Sequence, residues 1–305
     1  MGTVPPAGTT KTVGAWATIS TQADLRNFII AQVLPTIGVV VDSYVSGADT
    51  YDVVKWVDST STGGNGVAYV VVKTTTYNSE FWSNAIIYST WNVASHSGSM
   101  CYWPKPLFSL TLRLADQVRS VVLVDAKHAL IYTLAKRSTR TYVGFVLDLI
   151  TPSARPDGYP AAAAYLIWWS VCGWQYYPSG IPLDGIGWSS EIMAPQALVG
   201  IGVDRANIGT QLIGVVLMSA VTGLGYNSLQ FSGAYDTPSG ILVLTSLPIY
   251  GIDGKLIGAT SDYIGFVRRG VVSATDLLQC ADGTTWGQMT DGNSSVLMWR
   301  EEAMP

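Results

Sequence analysis

The sequence has few charged residues. Asp, Glu, Lys and Arg make up 12% of the 305 residues, whereas roughly 25% is typical of soluble domains. The same chain contains 11 Trp and 16 Tyr. A protein of this composition either exposes a broad apolar surface or covers it with neighbouring subunits, because large apolar patches usually mark interaction sites. We therefore expect permanent contact with other subunits.

The charges that are present do not form a basic surface. The formal net charge is −4 and the pI is about 5.1. Basic residues cluster only at Lys136–Arg140 and at Arg268–Arg269. Proteins that bind DNA or RNA usually carry a basic patch or stripe that matches the phosphates. We predict no nucleic-acid partner.

Cysteine and histidine are scarce. Cys101, Cys172 and Cys280 are far apart in the sequence and form no CxxC motif. Their odd number argues against a secreted disulfide scaffold and suits assembly in a reducing cytoplasm. The two histidines, His96 and His128, lie in or beside predicted turns and belong to no zinc-binding motif. We predict no metal site and no cofactor.

The motifs of common enzyme classes are missing. There is no GxSxG nucleophile motif, no phosphate-binding GxxxxGK[ST] and no GxGxxG followed by a helix. The acidic residues are scattered over predicted turns and strand ends, where they do not suggest the carboxylate pair of a glycosidase. We predict no catalytic residues, and we interpret the chain as a protein that is not an enzyme.

Long apolar runs are also missing. The richest run, Ala161–Cys172, falls short of the roughly 20 residues that span a bilayer, and residues 1–15 lack the apolar segment of a signal peptide. We predict no membrane insertion. Because residues 1–15 combine Pro, Gly and small polar residues, we expect a flexible arm, which either stays disordered or becomes ordered on a neighbouring subunit.

One helix is predicted, over Thr21–Leu34. Thr21 and Asp24 approximate a capping box, and Leu25, Phe28, Ile29 and Val33 recur at helical spacing. Pro35 is expected to end the helix. The apolar side of this helix must pack against a sheet.

The rest of the chain has the pattern of short β-strands. At its centre, Ser120–Pro160 predicts three successive strands, each bounded by charged turn residues or by a Pro-rich segment. The expected strands are Gly38–Tyr44, Asp52–Val57, Val67–Thr74, Ala85–Trp91, Phe108–Leu114, Ser120–Val124, Ala129–Ala135, Thr141–Ile150, Ala164–Cys172, Ala197–Val203, Gln211–Met218, Gly240–Leu247, Lys255–Ile257, Asp262–Val267, Thr284–Met289 and Ser295–Trp299. Short strands without intervening helices indicate a mainly β fold, an antiparallel sandwich or barrel with one short N-terminal helix.

A Ser-, Gly- and Pro-containing stretch from Val93 to Pro106 suggests a division of the chain. We expect a flexible N-terminal arm at 1–15, a small α+β portion at 16–100 and a sandwich-like β domain at 101–305.

Aromatic residues concentrate in one stretch of the second half of the chain. They are Tyr165, Trp168, Trp169, Trp174, Tyr176, Tyr177 and Trp188. One interpretation is the core or subunit interface of a β-sandwich. The other is a platform for carbohydrate, because aromatic rings offer flat apolar faces with polar rims. On the second interpretation, the ligand-binding residues are Trp168, Trp169, Trp174, Tyr176, Tyr177 and Trp188.

Several segments occur in a characteristic order. They are LRNFIIAQVL, DSY followed by DVVKW, GGNGVAYVVVKT, the strand pair within SVVLVDAKHALIYTLAKRSTRTYVGFVLDLITPSARP, and GATSDYIGFVRRG. This order resembles uncharacterised virion structural proteins of tailed bacteriophages and covers most of the chain. The resemblance implies a non-enzymatic particle component, of the tail, baseplate or fibre-attachment region rather than of the capsid shell.

Two functions follow from these observations. The first is a structural subunit of the virion, assembled in the host cytoplasm, that contacts itself and other virion proteins through apolar β surfaces and terminal arms. The alternative is a tail module that binds a host-surface glycan. A capsid-associated decoration protein and a glycan hydrolase rank below both.

Overall fold

The protein is described by a computed structural model over residues 8–57, 67–88, 90–99, 108–138, 140–150, 164–169, 196–201, 248–250, 256–259, 261–268, 278–279, 283–289 and 295–305. Strands dominate these residues, every strand pair among them is antiparallel, and the main helix lies near the N-terminus. The predicted mainly β fold is confirmed. Two of the predicted strands, Gln211–Met218 and Gly240–Leu247, lie outside the described residues.

Helix α1, Gln22–Gln32, begins with the predicted capping box. Thr21 Oγ1 accepts a hydrogen bond from the Asp24 amide, and the Asp24 carboxylate accepts one from the Thr21 amide. The predicted end of the helix was wrong. The helix stops at Gln32, and Pro35 lies in the first turn of a second short helix, α2, Leu34–Ile37. Proline fits there because the first turn of a helix leaves its amides unbonded.

The first sheet has five strands in sequence order. Its strands are β3 (Val39–Ser46), β4 (Asp49–Val57), β5 (Val67–Tyr77), β6 (Glu80–Tyr88) and β7 (Phe108–Arg113). The predicted connection Thr75–Asn84 was wrong, because Asn78 and Ser79 alone make the turn. Both residues have positive φ, at 47° and 62°, which suits a tight two-residue hairpin. The sheet includes strands from both sides of residue 100.

The second sheet has seven strands. They are β1 (Thr10–Val13), β2 (Ala17–Thr18), β8 (Gln117–Val124), β9 (His128–Arg137), β10 (Arg140–Ile150), β11 (Ala164–Trp169) and β12 (Gln196–Ile201). The three strands predicted at the centre of the chain are β8, β9 and β10, and they pair in that order. Strand β1, within the predicted N-terminal arm, pairs with β8 of the same chain.

Two smaller sheets follow toward the C-terminus. One pairs β13 (Pro248–Tyr250) with β14 (Leu256–Ala259). The other has four strands in the order β15, β18, β17, β16, followed by a 3-10 turn at Glu301–Ala303. Its strands are β15 (Ile264–Arg268), β16 (Leu278–Gln279), β17 (Thr285–Met289) and β18 (Ser295–Arg300).

The main core lies between the five-stranded and seven-stranded sheets. Phe108 of β7 stacks on Phe145 of β10 with ring centroids 4.5 Å apart, and both rings are fully buried. Leu25 and Ile29 of α1 belong to the same apolar cluster. At the edge of this core, Arg26 binds Asp52 of β4 through two hydrogen bonds of 2.7 Å. The helix is therefore fixed to the first sheet by apolar packing and by an ion pair.

Strand β9 has buried residues on both of its faces. Ile131 belongs to the main core, and its neighbour Tyr132 therefore points to the opposite face of the sheet. There the Tyr132 hydroxyl donates a hydrogen bond to the carbonyl of Ala303, and burial raises the pKa of the phenol. The C-terminal segment thus contacts the far side of the seven-stranded sheet at Tyr132.

Candidate functional site

A groove lies on the outer face of the five-stranded sheet, opposite the main core. Its volume is about 550 Å³. Because side chains alternate along a strand, Val70 and Val72 of β5 face the core, whereas Val71 and Lys73 face the groove. The groove is lined by Tyr44, Val45, Ser46, Tyr51, Val71, Lys73, Ile86, Tyr88, Ser95 and His96.

Three rings stand in a row along one side of the groove. Tyr44 of β3 and Tyr51 of β4 are register partners across a hairpin, with centroids 4.7 Å apart and planes 3° from parallel. The imidazole of His96 stacks on Tyr44 at 4.2 Å. Stacked pairs of this kind restrict one another's rotation and contribute about 0.5–1.5 kcal/mol beyond their burial. The row of Tyr51, Tyr44 and His96 is therefore preformed, and we call it the aromatic wall.

A second pair of rings adjoins this wall. The Trp91 ring meets the Tyr88 ring edge to face, with centroids 5.4 Å apart. The centroid of the Trp91 ring also lies 6.3 Å from the centroid of the Tyr44 ring. Aromatic groups from β3, β4, β6 and the loop 90–99 therefore converge at one place.

Asp42 of β3 holds the loop 90–99 against the sheet. Its carboxylate accepts hydrogen bonds from Trp91 Nε1 at 2.9 Å and from His96 Nδ1 at 2.8 Å. Burial alone would raise the pKa of Asp42, but the hydrogen bonds from His96 and Trp91 outweigh burial and hold this pKa below its usual range. The ionised carboxylate is thus the form that orients both rings.

The Lys73 ammonium lies at the other end of the aromatic wall. Its side chain is only 4% exposed, and Nζ lies 2.6 Å from the carboxylate of Asp49. The same ammonium lies 5.9 Å from the centre of the Tyr51 ring, within the range of a cation–π contact. Because Asp49 neutralises it, Lys73 brings little net charge to the groove.

Burial also affects the tyrosine at the centre of the wall. It raises the pKa of the Tyr44 hydroxyl, and the nearby Tyr88 and Asp42 raise it further. The phenol therefore stays protonated at neutral pH and can both donate and accept hydrogen bonds.

Of the predicted binding residues, the structure describes the backbone of two. Trp168 and Trp169 lie in β11, where their register partners in β10 are Leu147 and Val146. The other four, Trp174, Tyr176, Tyr177 and Trp188, lie outside the described residues.

The sequence-based prediction missed the groove because it misplaced the turn between β3 and β4. The predicted strands ended at Tyr44 and began again at Asp52, which left Tyr51 in a turn. The structure instead makes a two-residue turn at Gly47 and Ala48, with φ of +62° at Gly47. A hairpin drawn around that glycine would have paired Tyr44 with Tyr51.

Among the described ranges, no group of three or more His, Cys, Asp and Glu side chains is arranged to hold a metal ion. The helices described here also include none that is long and apolar enough to cross a membrane. Comparisons with protein-family models, with curated proteins and with solved structures give no match to this chain.

Proposed function

We propose that the chain is a structural, non-enzymatic subunit of a tailed-phage virion, in the tail, baseplate or fibre-attachment region. It associates with copies of itself and with other virion proteins in the particle, after assembly in the host cytoplasm. The family resemblance and the low charge content support this role. Nucleic acid and membrane lipid are not among its partners in this proposal.

The observation that carries the proposal is the edge strand β3. It pairs with β4 on one side and with none of the described strands on the other. Val39 is 70% exposed and Val45 is 69% exposed. Free backbone groups along an exposed apolar edge are a template for pairing with another chain.

The edge has few of the features that block such pairing. Its sequence, VVVDSYVS, has no Lys, Arg or Pro, and its one charged residue, Asp42, is buried. The register shifts between Val40 and Asp42, which is a bulge that disturbs the first part of the strand. The regular part, Asp42–Ser46, pairs with β4 and with no other described strand.

A second copy of the chain is the partner that fits this edge best. Two β3 edges related by a two-fold axis would pair antiparallel and join two five-stranded sheets into one continuous sheet. Each copy would then supply backbone hydrogen-bond partners to the other. The valine side chains that are exposed in one subunit would be covered by the other.

Light scattering of the purified chain at several concentrations tests self-association. We expect a discrete oligomer for the wild type and a smaller mass for Val45→Lys, because a lysine on the edge opposes strand pairing. Leu114→Lys is the matched control, since Leu114 is 67% exposed but lies outside the strands. It should leave the mass unchanged.

The chain should also be present in purified particles of the virus at a fixed stoichiometry. A stable monomer that is absent from particles would contradict the proposal, as would an equal loss of mass in both lysine variants. The alternative role, a host-glycan module built on Trp168 to Trp188, stays a prediction.

A further inference from the structure

The floor of the groove is apolar. Val71 and Ile86 are register partners on β5 and β6, and they are 7% and 4% exposed. Small-molecule sites typically occupy roughly 300–1,000 Å³ and combine an apolar lining with a few polar groups. The groove, at about 550 Å³, has this size, and its apolar floor is bordered by polar groups.

The flat side of a sugar ring suits Tyr88 and the outer rings of the aromatic wall, because Tyr51 and His96 already stack on Tyr44. The C–H groups on one face of a pyranose carry partial positive charge, and the face of an aromatic ring is negative. Tyr51, Tyr44 and Tyr88 line the groove from three different strands. Because stacking already orders Tyr44 against Tyr51 and His96, binding costs little additional side-chain entropy.

The rim of the groove is polar but has little free charge. Ser46 and Ser95 bring hydroxyl groups to the lining, and His96 brings an imidazole. The charge of Lys73 is countered by Asp49 at 2.6 Å, and the Asp42 carboxylate is occupied by Trp91 and His96. This rim favours a ligand with hydroxyl groups over one with a net positive or negative charge.

From this floor, wall and rim we propose that the groove binds a neutral carbohydrate, a pyranose or a short oligosaccharide of pyranoses. The pyranose ring packs over Val71 and Ile86, between the tyrosines of the groove. The hydroxyl groups of the sugar reach Ser46, Ser95 and His96. The assignment does not depend on the virion role proposed above.

Saturation-transfer NMR with the 305-residue chain tests the assignment. The probes are methyl glycosides of glucose, galactose, mannose and their N-acetylamino forms, together with β-linked disaccharides of each, at low-millimolar concentration. We expect at least one of these sugars to receive saturation from aromatic protons. Tyr88→Ala should weaken its binding by roughly tenfold, since an aromatic contact contributes up to about 1.5 kcal/mol.

Trp16→Ala is the matched control. Trp16 is 38% exposed and lies against Arg119 of the other sheet, with the guanidinium 4.5 Å from its ring centre. This variant should bind the sugar as the wild type does. If Tyr88→Ala does not fold by circular dichroism, Tyr88→Leu removes the ring and retains an apolar side chain.

Three results would overturn the assignment. They are no saturation transfer to any sugar of the panel, equal binding by the Tyr88 and Trp16 variants, and displacement of the bound sugar by inorganic phosphate at the same concentration. Light scattering of Tyr88→Ala separates this test from the previous one. The mass of the Tyr88→Ala variant should equal that of the wild type whether or not the variant binds sugar.

Discussion

The two faces of the five-stranded sheet differ in chemistry although both are largely buried along β5. On the inner face, Val70 and Val72 belong to an apolar core shared with α1 and the second sheet. On the outer face, Val71 and Lys73 line a groove bounded by aromatic and polar side chains. Burial by itself therefore does not separate a structural face from a candidate binding face.

The two faces differ in the interactions that stabilise them. The inner face depends on close packing, which is sensitive to the loss or gain of single carbon atoms. The outer face depends on ring stacking and on hydrogen bonds to Asp42. Mutations of the inner face should therefore change the free energy of unfolding most, and mutations of the outer face should mainly change the groove.

The largest effect is expected for Phe108→Ala. Phe108 is fully buried and stacks on Phe145 across the two sheets, and replacement of a buried Phe by Ala typically costs about 3–5 kcal/mol. Urea unfolding would measure the change. Tyr88→Ala is the outer-face comparison and should cost about 1 kcal/mol. Similar losses for both variants would show that the two faces do not differ as proposed.

Gly144→Ala tests how closely the two sheets approach. A methyl group at Gly144 of β10 would collide with the Thr133 hydroxyl and with a methyl group of Leu110. Overpacking of this kind costs about 1–3 kcal/mol. The double variant Gly144→Ala with Leu110→Ala should lose less stability than the sum of the two single variants. Strict additivity in thermal and urea unfolding would argue against the contact.

Thr21→Ala should cost about 1 kcal/mol of unfolding free energy, because it removes the side-chain cap of α1. This loss of stability belongs to the inner face of the five-stranded sheet, because α1 packs against that face. Thr12→Ala, at an exposed position of β1, is the control and should be close to neutral. Helical circular dichroism and urea unfolding would measure both variants. A cap variant as stable as the control would contradict the role of Thr21.

The smallest effect is expected for the pH dependence carried by Asp42. Its pKa is lower in the folded chain than the unfolded value of about 3.9. The stability that it contributes is therefore present above that pH and is lost as the pH falls through the folded pKa. Between about pH 5 and pH 3, Asp42→Asn should lose less stability than the wild type. Equal losses of unfolding free energy by the wild type and by Asp42→Asn, measured by urea unfolding over this pH range, would contradict this role of Asp42.

Much of the fold was predictable because its signals are local. The capping box of Thr21 and Asp24 and the apolar positions Leu25, Phe28 and Ile29 fix the start and the buried side of α1 without reference to the rest of the chain. The three central strands were predicted for the same reason, since each is a β-branched and aromatic run between charged turns.

The candidate site was less predictable because it depends on register. Tyr44 and Tyr51 meet only if the turn lies at Gly47 and Ala48. A shift of one residue would send these rings to the other face. His96, predicted as an ordinary loop residue, does lie in a loop. Its contact with Asp42, 54 positions away, has no local signature.

The amino-acid sequence by itself determined the mainly β class, the N-terminal helix and the low content of charged side chains beside many aromatic ones. These follow from composition and from short-range periodicity. The tertiary structure decided which aromatic side chains meet, which edge carries exposed valines and where Asp42 finds its partners. Those contacts join positions far apart in sequence. They depend on strand register and on how distant segments pack together, and the secondary-structure propensity of a single residue does not determine either.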